Sequence, residues 1–196
     1  CKVCQLVKLY KNGQPFKMSK RAGEFISAQD LLDEVEKDPI RFMMLNRSND
    51  VELDFDFDKV KEKNKDNPVF YVQYAYARIN SILRSLKIKF TNKVELNDKD
   101  FQLNEIEQKI LRKVFEWPKI IESASNKFDL HKIPVYLYDL ATLFHSYWSK
   151  GNEDEKYKFI RDEKIKRNEI FAIMNLTAIV LQNGMGILGV TLPDKM

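Results

Sequence analysis

Two cysteines, two histidines, six glycines and six prolines are all that 196 residues contain of these types, and each scarcity removes a class of function. Cys1 and Cys4 form a C-x-x-C, but a zinc site needs two further ligands. A thioredoxin-type motif needs a helix to begin there, and no start signal follows. Both cysteines are expected to be small, buried apolar side chains. His131 and His145, separated by fourteen positions on helical patterns, offer no ligand geometry and read as packed, hydrogen-bonded residues, so no metal site is expected. The glycines form no phosphate-cradling repeat, and no doubly wound β-α-β pattern accompanies them. No run approaches the roughly 20 apolar residues of a membrane span, and the N-terminus lacks the regions of a signal peptide. The expectation is a cytoplasmic protein without a membrane partner. Because the chain opens at Cys1 inside an apparent strand, with no initiator Met, it is expected to be a piece of a longer polypeptide.

What is present suits one good core, or one core with a small satellite: 44% of residues are hydrophobic and 12% aromatic. Net charge is only +4, but it is unevenly placed. Residues 1 to 22 carry six Lys/Arg and no acid, residues 23 to 60 carry four basic against eleven acidic, and the rest carries 23 against 18. Basic side chains therefore gather near the start and again, diluted, in the last two-thirds. An anionic partner fits both places, although lysines on a helix also simply solvate its outer face.

Residues 5 to 10 read as a strand, Asn12-Gly13 as a tight hairpin turn, and Phe16 as the start of the return strand. Ser27 and Asp30 have capping-box spacing and predict a helix over 28–36; Asp38-Pro39 predicts a second over 39–46, with Asp38 as its cap. Residues 51 to 58 alternate apolar and acidic, the pattern of a half-buried strand whose carboxylates face water. From Asn67 the period changes to helical. Val72, Ala75, Ile79, Ile82, Leu83 and Leu86 make one stripe, and Asn104 caps a second helix that Pro118 interrupts. Phe128 closes the inward stripe of the third, residues 133 to 148 form the fourth, 151 to 156 a charged connection, and 162 to 182 the fifth, stopped by Asn183-Gly184. The expected fold is mainly α, a helical bundle over 63–196 preceded by a small β-α-α-β unit over 1–62.

The segment Lys17-Met18-Ser19-Lys20-Arg21-Ala22-Gly23 holds ammonium groups three residues apart around a hydroxyl, with no acid before Glu24. Long flexible cations can meet the charge that develops on phosphoryl oxygens. Lys17, Ser19 and Lys20 are the candidate catalytic groups and Gly23 a hinge; the alternative is an ordinary basic surface loop.

This loop has the KMSKR form of a class I aminoacyl-tRNA synthetase signature. The segment from Asp66-Asn67-Pro68 to Ala77-Arg78-Ile79 resembles the helix that opens the anticodon-binding domain of arginyl-tRNA synthetases. Asp38-Pro39-Ile40-Arg41 sits where that family has Asp-Ala-Leu-Arg, with Pro-Ile replacing Ala-Leu; Asp54-Phe55-Asp56 and the tail 188–196 match as well. The resemblance, to the C-terminal portion of the family, covers essentially the whole chain. It implies an ATP- and Mg2+-dependent ligase as parent, with tRNA(Arg) as partner and arginine and ATP reached through a catalytic domain outside these residues. The His-x-Gly-His motif of the class is absent here, so this stretch alone is expected to bind no cofactor and make no adenylate. It further implies base contacts at Tyr71, Tyr74 and Arg78, which share a helix face, and at Tyr147, Trp148 and Met196. Neither DNA nor an oligomer is expected. Rival readings are a free-standing helical module for RNA or protein, and a synthetase of other specificity.

Overall fold

The computed structural model describes residues 2–16, 26–91 and 102–196. The Lys17–Gly23 loop and Cys1 lie outside them. Strands β1 (Val7–Lys11) and β2 (Gln14–Pro15) form the expected hairpin, with Tyr10 opposite Pro15 and positive φ at both Asn12 and Gly13. The chain then crosses through α1 (Ala28–Val35) and α2 (Lys37–Leu45) to β3 (Leu53–Asp56), which lies parallel to β1 with Val7 opposite Leu53. A parallel pair requires such a crossover, and two short helices supply it. Leu53, Phe55 and Phe57 are buried with Val35 and Val60 in a small core of their own. The acidic face expected of β3 is partly committed to turns: Asp58 accepts the Asn12 N–H at 2.6 Å, and Asp56 accepts those of Asp58 and Lys59.

Ser27 makes both bonds of its capping box with Asp30. At α2, however, the helix begins at Lys37, so Asp38 lies inside the first turn and is not the cap. Its carboxylate is directed elsewhere, to the amide of Thr191. Asn67 likewise precedes α3 (Pro68–Ser85) without capping it; its amide donates to the carbonyls of Val60 and Glu62. Cys4 is exposed, not buried as expected.

The bundle consists of α3, α4 (Glu105–Phe115), α5 (Trp117–Lys127), α6 (Lys132–Glu153) and α7 (Asn168–Leu188). Three boundaries differ from the periodic reading. Phe128 is a left-handed C-cap, 68% exposed, so it closes α5 outside the core. Helix α6 continues through Gly151 to Glu153, and Gly151 serves a close approach of the chain at Tyr157: a Cβ would lie 2.7 Å from the Tyr157 carbonyl oxygen. Residues 160 to 165 form a hairpin, β4 (Ile160–Arg161) with β5 (Lys164–Ile165), turning at positive φ on Asp162 and Glu163. Helix α7 therefore starts later than expected and runs on through Asn183-Gly184 to Leu188, with Gly189 as its left-handed cap.

Helix α7 is 21 residues long and contains an 18-residue window of mean hydropathy 1.6, long and apolar enough by composition to cross a membrane, where the sequence led us to expect no such stretch. Most of that apolar surface is used inside the bundle, against α3, α4 and α6. Gly184 is the closest approach: a Cβ there would sit 2.5 Å from Leu137 Cδ2, and Leu137 is fully buried and cannot retreat. Gly184→Val should therefore destabilise the fold by about 1–3 kcal/mol despite the small gain in helix propensity. A urea titration showing an unchanged midpoint would refute this.

Candidate nucleic-acid interface

Helix α3 buries Val72, Ala75, Ile79 and Leu83, which fixes its rotation and turns Tyr74 and Arg78 to the edge of a cleft. Helix α6 adds Trp148, β4 adds Ile160, and the C-terminal tail adds Lys195 and Met196; the cleft measures about 880 Å³. Met196 is 52% exposed there. Trp148 is half-buried, in a T-shaped contact with Phe159 at 5.3 Å between ring centroids.

Arg78 is the best-held charge in the cleft. Its Cζ lies 4.4 Å from the Tyr74 ring centroid and 5.4 Å from that of Trp148, both within cation–π range. Nη2 donates to Tyr74 Oη at 2.7 Å, and Nη1 lies 3.2 Å from His145 Nδ1. The other ring nitrogen, Nε2, is 3.1 Å from the Tyr71 carbonyl. A carbonyl only accepts, so Nε2 bears the hydrogen and Nδ1 is free to accept from Arg78. Only this neutral tautomer satisfies both partners. Burial foremost, aided by the Arg78 charge and opposed by the Tyr71 bond, lowers the His145 pKa from its ordinary 6.5 to about 4.

The six residues expected to meet RNA thus separate. Tyr74, Arg78, Trp148 and Met196 share the cleft. Tyr71 does not line it: its ring is held between Tyr138 at 5.3 Å and His145 at 4.3 Å, where burial raises its pKa. Its contribution is the carbonyl that orients His145. Tyr147 is a core residue and must be corrected as a base contact. It is fully buried, its hydroxyl donates to the equally buried Glu107, and burial together with that carboxylate raises its pKa. Glu107 also receives Arg167 and closes the α4 capping box, so three elements share one carboxylate.

Sequence reasoning missed Ser81, Ser85, Arg84 and Lys195. Ser81 and Ser85 follow Arg78 by three and seven residues, a helical spacing that could have found them. Lys195 carried no periodic signal, since it arrives on an irregular tail. Arg84 holds that tail, donating to the Asp194 carbonyl at 2.9 Å, while Gln73 reaches the Thr191 carbonyl at 2.8 Å. Lys17, Met18, Ser19, Lys20, Arg21 and Gly23 fall outside the described residues. Among the described residues, no three or more His, Cys, Asp or Glu are grouped to hold a metal ion.

Comparison with known proteins shows the family of the domain that contains this cleft. Residues 72–196 match the model of the DALR anticodon binding domain. The chain is 53% identical, over its whole length, to an arginine–tRNA ligase of Pelagibacter ubique, and 44% identical over 99% of its length to one of Rhizobium meliloti. In each case it spans 34% of the relative, about a third of that protein's length. A crystal structure from Campylobacter jejuni superposes with TM-score 0.83 at 28% identity, covering 98% of this chain and 40% of that one. The arginyl-tRNA synthetase of Thermus thermophilus, at 20% identity and TM-score 0.67 over 98% of this chain and 35% of its own, shares the fold.

The state of His145 makes stability depend on pH. The unfolded chain takes up this proton near 6.5, whereas the folded chain holds it off until about 4. Acidification from pH 7 to 4 therefore favours the unfolded chain, by up to roughly 3 kcal/mol from this group. His145→Phe should flatten that part of the pH profile while lowering stability at pH 7, since Arg78 and the Tyr71 carbonyl lose a partner. Thermal unfolding between pH 4 and 8 measures both, and an unaltered profile in the variant would exclude His145 as the source.

Proposed function

The chain belongs to the family of the DALR anticodon binding domain, and from that premise we propose that it is the anticodon-binding part of an arginine–tRNA ligase. In this reading residues 1–62 end the catalytic domain and connect it to the helical domain, 63–196. The observation that carries the proposal is the cleft itself, where a fixed guanidinium, two aromatic rings and an exposed methionine converge on residues within the family match.

Unstacked bases of tRNA(Arg) need ring faces, and the phosphates between them need cations. Tyr74 and Trp148 supply the rings, Met196 an apolar end for a displaced base, and Arg84 and Lys195 the outer cations. Arg78 is already bonded to Tyr74 and His145, so little side-chain freedom is lost when RNA arrives.

In the whole enzyme the arginine carboxylate attacks the α-phosphorus of ATP and pyrophosphate leaves; a 3′-terminal ribose hydroxyl of the tRNA then attacks the acyl carbon and AMP leaves. Mg2+ accompanies the ATP. Lys17 and Lys20 steady the phosphates from the KMSKR loop, with Ser19 donating a hydroxyl. The enzyme acts in the cytoplasm as a monomer, and the present residues alone make no adenylate because the nucleotide fold lies elsewhere.

Titration of a tRNA(Arg) transcript tests the binding half. Tyr74→Ala should raise Kd by about 5- to 150-fold, the worth of one base stack. Arg84→Ala and Lys195→Ala should weaken binding less and each reduce the salt slope by about one. Wild-type affinity in Tyr74→Ala would remove the ring from the site. For the loop, Lys20→Glu in the intact protein should slow pyrophosphate exchange by about tenfold or more while sparing tRNA affinity; unchanged exchange would refute its role.

A further inference from the structure

We propose that Asp38 and Arg41 form a latch that positions the C-terminal tail, residues 189–196, so that α2 determines whether Lys195 and Met196 face the cleft. The inference rests on reading that cleft as an RNA site, but its geometry stands separately. Asp38 Oδ2 accepts the Thr191 N–H at 2.9 Å, and Arg41 Nε donates to the Leu188 carbonyl at 2.7 Å. The two bonds straddle Gly189, where the chain leaves α7 at φ +67. A Cβ on Gly189 would sit 2.9 Å from Arg41 Nε, so the guanidinium occupies the space that a side chain would need.

A carbonyl in the last turn of a helix lacks an intrahelical donor, and a cation there also meets the negative end of the helix dipole. Arg41 satisfies both needs for α7. Asp38 accepts a backbone amide that has left every helix and strand, a charge-assisted bond stronger than a neutral one. The partners are 147 and 153 residues apart in sequence, so no local propensity accounts for them. The tail is then held along α3 by Gln73 at Thr191 and Arg84 at Asp194, and ends in the cleft with Lys195 and Met196. Asp38 and Arg41 touch no ligand in this scheme. They are positioning residues, acting through the tail.

Two measurements on the intact protein separate positioning from general stability: backbone amide exchange across Thr191–Met196, and affinity for a tRNA(Arg) transcript. Asp38→Ala should speed exchange at Thr191 by about tenfold while leaving the centres of α3 and α7 protected, and should weaken RNA binding by about tenfold. Asp38→Asn keeps an acceptor oxygen and should restore most of both. Combined with Lys195→Ala and Met196→Ala, Asp38→Ala should cost no further affinity, because it acts through those residues. The proposal is overturned by unchanged tail exchange in Asp38→Ala, or by affinity losses that multiply. If Asp38→Ala fails to fold, Arg41→Lys is read in the same two ways, with intact tail protection overturning the proposal. A wild-type protein that binds no tRNA would overturn the RNA reading, whereas exchange would still decide whether Asp38 holds the tail.

Discussion

Burial of one face of α3 sets where Tyr74 and Arg78 stand, and the rest of the cleft is assembled around that pair. Val72, Ala75, Ile79 and Leu83 are almost wholly withdrawn from water, and each such side chain contributes about 1.5–3 kcal/mol, alanine less. That sum leaves the helix a single rotation. With 3.6 residues per turn, Tyr74 and Arg78 must then stand one turn apart at the same edge. Arg78 keeps its place at the cleft because the residues behind it cannot turn.

Polar groups buried beneath this edge are matched to partners of complementary type. His145, 6% exposed, would be costly as a cation beside Arg78, and as a neutral ring it donates to one neighbour and accepts from the other. A comparable arrangement lies deeper, where the Glu107 carboxylate receives Tyr147, Arg167 and the Asn104 amide. There α4, α6 and the start of α7 are joined by one buried charge. Such networks add specificity of arrangement more dependably than net stability.

Helix α2 belongs to two cores at once. Phe42 is fully buried in the bundle, whereas Ile40, Met43 and Met44 pack on the small sheet. The segment that links the small sheet to the bundle is therefore continuous in packing as well as in sequence. Much of this was legible beforehand. The Ser27 and Asn104 capping boxes, the Asn12-Gly13 hairpin and the stripe of α3 are local patterns, and each formed as its spacing implied. Asn183-Gly184 misled because glycine stops a helix when the backbone must reverse, but continues it when a neighbouring helix needs the room, and sequence does not reveal the neighbour. The same blindness hid Asp38, whose partner lies at the far end of the chain.

The sequence by itself determined the main helices and the strands of the N-terminal unit, the apolar face of each, and which residue types could meet phosphate or stack on a base, but not the hairpin at 160–165. Those properties follow from periods and caps that span fewer than ten residues. Tertiary structure decided which aromatic side chains remain free. Tyr147 and Trp148 are adjacent in the chain, yet one is sealed against Glu107 and Phe159 while the other reaches the cleft. It also chose the tautomer of His145 and the destination of the tail. The physical reason is common to all three: a helical period tells which side chains share a face, but what covers that face depends on elements brought together from distant parts of the chain.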